Sequence, residues 1–173
     1  MAAHSPPAAL SPSARARRGL ARLVAAILAA LFFRTFVLEL RVISSGSMAP
    51  ALLVGDHVVV DRLIYPRDLP AALAALLPVR EVRRGDVVLF RSPEDGRTAL
   101  VKRCVALPGD VVPAGVVPAE SLYLVGDHRD DSRDSRVFGP VERSRLVGRV
   151  VLVLASRTPA TGWRASRALR AVE

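Results

Sequence analysis

At 173 residues the chain is long enough for one cored domain with appendages and too short for two domains of ordinary size. Its net charge of +9 is unevenly spread: residues 1–40 hold five arginines and one glutamate, residues 41–142 hold 13 basic and 14 acidic residues, and residues 143–173 hold seven arginines and one glutamate. A neutral centre between two basic ends argues against nucleic acid as a partner and suits tails lying near anionic lipid, while the single cysteine, Cys104, excludes an internal disulfide.

Residues 1–19 are Ala, Ser, Pro and Arg with almost no large apolar side chain, which predicts a disordered basic head. Arg15, Arg17, Arg18 and Arg22 lead into the apolar run Leu23–Phe33, which Arg34 interrupts and Thr35–Leu38 resumes. As a helix, Leu23–Leu38 covers about 24 Å, somewhat less than a hydrocarbon core of roughly 30 Å. The expectation is a single transmembrane helix over 20–40, with the arginine-rich end in the cytoplasm and everything after Leu40 on the far side. Two other readings stay open. A cleaved secretory signal would have its best cut just before Ser47, and a buried helix would have to do without a polar face.

From Ile43 the pattern turns from helical to extended. Ile43-Ser44-Ser45-Gly46-Ser47-Met48-Ala49-Pro50 is laid out as a tight turn that exposes one hydroxyl. His57–Asp61 and Asp86–Phe90 are short β-branched runs, each announced by a Gly-Asp pair, and Gly109-Asp110 and Gly126-Asp127 repeat the device. Leu69–Pro78, bounded by prolines, has room for two helical turns, and Leu146–Leu154 reads as a last strand before a tail carrying Trp163, a packing residue or an interfacial anchor. These signals predict a mostly β protein, with an antiparallel β domain over 41–173 that ends in a basic C-terminal tail.

The composition also points to chemistry. Of the 25 basic side chains counted as lysine or arginine, 24 are arginine and one is Lys102. Arginine cannot be deprotonated in a protein, whereas a buried lysine amine can. Lys102 lies in Thr98–Leu107, which reads as a strand buried on both faces; alternation puts Leu100, Lys102, Cys104 and Ala106 on one face, and Val101, Arg103 and Val105 on the other. Lys102 is thus set among apolar neighbours that disfavour its ammonium form, and Arg103 points away toward a structural ion pair. A neutral amine near Ser47 would act as general base, with the Ser45 hydroxyl and the Ser47 amide as oxyanion donors. The loop Gly126–Gly139 alternates aspartate and arginine, which neutralises any cation site and suits Asp–Arg bridges bracing the loop; no metal and no cofactor is expected.

With these segments in hand, residues 31–141 resemble type I signal peptidase, the membrane-bound serine–lysine proteases of peptidase family S26. Phe33-Arg34-Thr35-Phe36 is similar to the family's membrane-helix end, and Ser45-Gly46-Ser47-Met48-Ala49-Pro50 to its nucleophile box. Arg84–Phe90 is similar to the following strand, and Val101-Lys102-Arg103 with Leu107-Pro108-Gly109-Asp110 to the lysine box. Gly126-Asp127, Ser132, Asp134-Ser135-Arg136 and Phe138-Gly139 match the closing box. The resemblance implies a signal-peptidase-like β catalytic domain on the outer side of a bacterial cytoplasmic membrane, cleaving signal peptides from exported preproteins. It implies Ser47 as nucleophile, Lys102 as base, Ser45 at the oxyanion, Ser132 orienting the lysine amine, and Asp134 with Arg136 as bracing ion pair. The implied partners are preprotein signal peptides and membrane lipid, with a monomer expected. Departures from the pattern are His128 where the family has Asn, Ala51 where it has Thr, and only fifteen residues between Asp110 and Gly126, where many members insert a second β subdomain.

Two alternatives use the same residues. A self-cleaving repressor shares the serine–lysine chemistry but needs an N-terminal DNA-binding domain, and residues 1–40 offer a basic head and an apolar run instead. A non-catalytic, membrane-tethered β domain would leave Ser47 and Lys102 structural.

Overall fold

The computed structural model describes residues 12–32, 37–65, 79–158 and 162–172. The chain divides into two units, residues 1–35 and 36–173.

The first unit is helix α1, Pro12–Phe32. Proline at the first helical position has its φ already set, and the Ala, Arg and Leu that follow are good helix formers, so the helix starts well before residue 20. This corrects two expectations. Residues 12–19 of the expected disordered head are helical, and Leu38–Leu40 belong to a strand instead of the end of a membrane helix. Among the described residues no helix is long and apolar enough to cross a membrane, and α1 takes in Arg15, Arg17, Arg18 and Arg22. The Phe33–Phe36 match and the two-turn segment Leu69–Pro78 lie outside the described residues.

The second unit is a curled antiparallel sheet. Strands β1 (Leu38–Val42), β2 (Asp56–Asp61), β3 (Val87–Arg91), β4 (Ala99–Ala106), β7 (Ser121–Val125), β8 (Val141–Glu142) and β9 (Leu146–Thr158) join in the order β1-β2-β9-β3-β4-β7-β8. A separate hairpin pairs β5 (Val111–Val112) with β6 (Gly115–Val116), and β10 (Gly162–Trp163) and β11 (Arg170–Ala171) both add to β9. The sequence pattern ends the last strand at Leu154, but β9 runs to Thr158 and pairs with β2, β3, β10 and β11 along its length. Its alternation survives as buried and half-buried positions through Val150, after which register shifts against β2 bend it.

Of the three buried apolar clusters among the described residues, the two largest fill the faces. Met48, Leu52, Val58, Val60, Val87, Leu89, Val150 and Val153 form one, and Val88, Phe90, Cys104, Leu122, Leu124 and Leu146 form the other. Between β2 and β9 the backbones come so close at Gly148 that an added Cβ would sit 2.3 Å from the Asp61 carbonyl oxygen. Replacing Gly148 with alanine is therefore expected to lower stability by about 2–3 kcal/mol, since backbone on both sides has to move. A thermal unfolding curve of the purified variant within a degree of wild type would show the contact to be unimportant.

The Gly-Asp device has one structural meaning at three of its four occurrences. In Leu53–Asp56, Arg83–Asp86 and Leu107–Asp110 the aspartate carboxylate accepts the amide N–H three residues before it, at 2.9, 2.8 and 2.7 Å, closing a turn that feeds the next element. The first turn also needs a glycine: Gly55 has φ +87°, and a Cβ there would lie 1.8 Å from the Arg157 carbonyl oxygen. Each carboxylate is then gripped by arginines: Asp56 by Arg167 and Arg164, Asp86 by Arg80 and Arg149, and Asp110 by Arg84.

Candidate active site

Ser47 is held by local capping and by apolar anchors. Ser45, with extended backbone, caps a single 3-10 turn over Gly46–Met48 and accepts the Ser47 N–H at 3.2 Å through its side-chain oxygen. Met48 and Leu52, both buried in the first apolar cluster, pin the next residues, and the Leu52 N–H donates to the Met48 carbonyl at 2.8 Å. Behind them Arg167 donates to the Ala51 carbonyl at 2.8 Å and to the buried Asp56 carboxylate at 2.6 Å. The serine turn is thus clamped from the C-terminal segment. This role does not show in the sequence, where Arg164 and Arg167 read as part of a basic tail.

Lys102 arrives from the middle of β4, opposite Val88 on β3. Its side chain is 3% exposed, and its Nζ donates to Ser47 Oγ at 2.6 Å across 55 positions of sequence. Burial lowers the pKa of this amine. Asp134, Asp131 and Asp127 oppose that shift by favouring the cation, Arg136 adds to it, and the balance stays below the ordinary lysine value.

The predicted alternation along β4 holds through Cys104 and then fails. A bulge at Val105 shifts the pairing with β7 from Cys104↔Leu124 to Ala106↔Tyr123. Ala106 thereby turns away from the Cys104 face and packs with Val117, Tyr123 and Val125. Arg103 does point away from Lys102, donating to both carboxylate oxygens of Asp127 at 2.8 Å and to the Gly85 carbonyl.

The closing loop is braced on Asp134, which is fully buried. Arg136 grips it with two side-chain hydrogen bonds of 2.9 Å, the Gly126 N–H donates at 2.9 Å, and Ser132 Oγ donates at 2.6 Å. Asp134 also caps helix α2 (Ser135–Phe138) by accepting the Arg136 N–H. Burial alone would raise this carboxyl's pKa, but the bonds from Arg136, Ser132 and Gly126 outweigh it and hold the group ionised far below the usual carboxylate range. Ser132 lines the same groove as Lys102, with its hydroxyl proton committed to Asp134. The lysine's hydrogen bond goes to Ser47.

Gly126 contributes a feature that the motif did not explain. A Cβ there would lie 2.1 Å from Ser132 Oγ and 2.6 Å from the Ser47 carbonyl oxygen. That carbonyl accepts the backbone N–H of His128 at 3.1 Å, so the nucleophile turn and the closing loop are in backbone contact. His128 makes this contact with its main chain, which is why a histidine can stand at that position. The surrounding groove, of about 910 Å³, runs between Arg41–Ser45 on one side and Thr98–Lys102 on the other, with Ser132 and Val137 closing it.

An alcohol touching a buried amine, beside an ionised brace, can attack a carbonyl carbon. Comparison with known proteins points the same way. The family described as "Signal peptidase, peptidase S26" matches residues 16–114 and 113–155. The chain is 30% identical to the Signal peptidase I of Leptolyngbya laminosa, the alignment covering 84% of each chain. It is 29% identical to the Probable signal peptidase I-1 of Synechocystis sp., covering 82% of each. To the Signal peptidase I of Pseudomonas aeruginosa it is 40% identical over 56% of this chain, spanning about a third (34%) of that longer protein. A match over most of the chain, together with a relative at this identity aligned nearly end to end, places the protein in the signal peptidase family, peptidase S26.

Proposed function

We propose that this protein is a signal peptidase of type I, an endopeptidase that removes signal peptides from exported preproteins, with Ser47 as nucleophile and Lys102 as its base. The observation that carries the assignment of roles is the 2.6 Å contact between Ser47 Oγ and a Lys102 amine that is 3% exposed and has a lowered pKa. With the amine neutral, the hydroxyl becomes the donor in that contact. Its proton passes to Nζ as Oγ bonds to the scissile carbonyl carbon. The carbonyl oxygen, now negative, is stabilised by the Ser45 hydroxyl and the Ser47 N–H, which turn from each other to the substrate. Collapse breaks the C–N bond, and the Lys102 ammonium gives its proton to the departing amine. Water then repeats the sequence on the acyl-serine and frees the new carboxylate. In the proposal, Asp134, Arg136 and Ser132 position this pair without touching the reacting atoms.

The groove supports a peptide substrate. β1 is the edge of the sheet, and Val42 there is 57% exposed, so a strand could pair along Val42–Ser44 and insert alternate side chains toward Ser47. Peptides with alanine at the residue before the cut are expected to be cleaved at least about 100-fold faster than those with phenylalanine, as a small apolar pocket requires. Equal rates would remove the pocket from the account. We place the catalytic unit outside the bacterial cytoplasmic membrane, with the apolar run that precedes β1 as the attachment. The family membership and the apolar run after Arg22 support this.

The pH dependence follows from the charges around Lys102. Only the neutral amine can take the serine proton, so cleavage is present above the lysine's lowered pKa and lost as pH falls through it. Asp131 is exposed, lines the groove and favours the lysine cation. Asp131→Asn is therefore expected to move the acid limb of kcat/KM to lower pH while leaving the plateau within a few-fold. A limb that stays put, or moves to higher pH, would show that the titrating group is not Lys102.

A further inference from the structure

We propose that a second cleft, separate from the catalytic groove, binds the headgroup of an anionic phospholipid. It has a volume of about 710 Å³ and shares no lining residue with the groove of Ser47 and Lys102. Leu53, Val105 and Val125 give it an apolar floor, and Arg103, Arg129, Arg167 and Arg170 surround it.

Two of these arginines are already neutralised. Arg103 is paired with Asp127, and Arg167 with Asp56. Arg129 and Arg170 are exposed and have no acidic partner among the described residues, so the cleft holds two uncompensated guanidinium groups facing one space. Planar forks of this kind match the oxygens of a phosphate, and two of them over an apolar floor match a phosphate joined to a glyceride better than a free ion.

The C-terminal segment that supplies Arg167 and Arg170 carries the second part of the argument. Leu169, beside Arg170, is 71% exposed and takes φ +57°, a left-handed backbone that a bulky residue rarely adopts. Its N–H donates to the Leu154 carbonyl, and Leu154 is 40% exposed. Trp163, in the same C-terminal segment, is 65% exposed with the Arg157 guanidinium 5.6 Å from its ring centre. Apolar side chains held out among arginines are suited to the boundary between headgroups and acyl chains.

The test uses the full chain carrying Ser47→Ala, in non-ionic detergent, so that binding is read without proteolysis and stands or falls apart from the catalytic proposal. Calorimetric titration with dihexanoyl phosphatidylglycerol is expected to show one saturable site. Arg129→Gln with Arg170→Gln should weaken it at least tenfold, while Arg91→Gln with Arg97→Gln, an equal loss of charge elsewhere, should not. Dihexanoyl phosphatidylcholine should not bind. Phosphatidylcholine binding as well as phosphatidylglycerol, an unaffected Arg129/Arg170 variant, or a control variant weakened as much would overturn the site. Inorganic phosphate or hexaglutamate binding as tightly as phosphatidylglycerol would overturn the lipid as its occupant.

Discussion

Replacing Lys102 with arginine is expected to cut signal-peptide cleavage by about 10³-fold or more while the protein still folds, the loss typical when a general base is removed. At 1.36 kcal/mol per decade this is about 4 kcal/mol of lost transition-state stabilisation. The reasoning is specific to this pair of residues. Arginine keeps the positive charge and most of the stem, so an electrostatic or packing role for Lys102 would survive the exchange in part. It cannot release a proton near neutral pH, so the Ser47 hydroxyl loses its acceptor. Arginine is also longer, and in a pocket where Lys102 is 3% exposed it has to displace Ser47 or Ser132. For that reason Lys102→Met should be measured beside it. Methionine fits the volume and offers no base, and it is expected to lose as much activity as arginine. Single-turnover cleavage of a preprotein by either variant at a wild-type rate would leave Ser47 without Lys102 as its base and return the lysine to a structural role.

How far these arrangements could be read from sequence depended on whether they were set by local chemistry or by curvature. Lys102 stood out because no other lysine competes with it, and the distance it spans to Ser47 is the outcome of β4 lying beside the nucleophile turn. Arg103 could be placed on the opposite face by simple alternation, and its bidentate grip on Asp127 agrees. Ala106 could not, because the bulge at Val105 depends on how β4 bends to meet β7. The Gly-Asp pairs were visible as punctuation, but their shared hydrogen bond and their arginine partners involve residues up to 111 positions away. The same distance hid the clamp from Arg164 and Arg167. A basic run at a chain end looks alike whether it faces solvent or reaches back to a buried aspartate. The helix departs from the hydropathy pattern for a different reason: hydropathy marks where apolar residues lie, whereas helix propensity extends through the arginines before them.

Gly126→Ala is expected to be the most damaging single methyl group that can be added to the site. Its Cβ would fall 2.1 Å from Ser132 Oγ, 2.6 Å from Ser132 Cβ and 2.6 Å from the Ser47 carbonyl oxygen, all well inside van der Waals contact. Ser132 cannot simply rotate away, because its hydroxyl is bonded to Asp134, which also holds the Gly126 N–H and Arg136. The Ser47 carbonyl is backbone, so relief there means moving the nucleophile. Overpacking of this kind costs about 1–3 kcal/mol of stability. A shift of the nucleophile by about 1 Å relative to its base costs on the order of 10²-fold in rate. Gly46→Ala is the matched control: its added Cβ would come no nearer than 3.6 Å to the Asp131 carboxylate, an ordinary contact, and its stability is expected to stay within about 0.5 kcal/mol of wild type. Thermal unfolding and single-turnover cleavage measured on both variants separate the two effects. If Gly126→Ala matched Gly46→Ala in stability and cleaved at the wild-type rate, the nucleophile turn and the closing loop would be free to part, and the geometry that joins Ser47 to Lys102 would not depend on their contact.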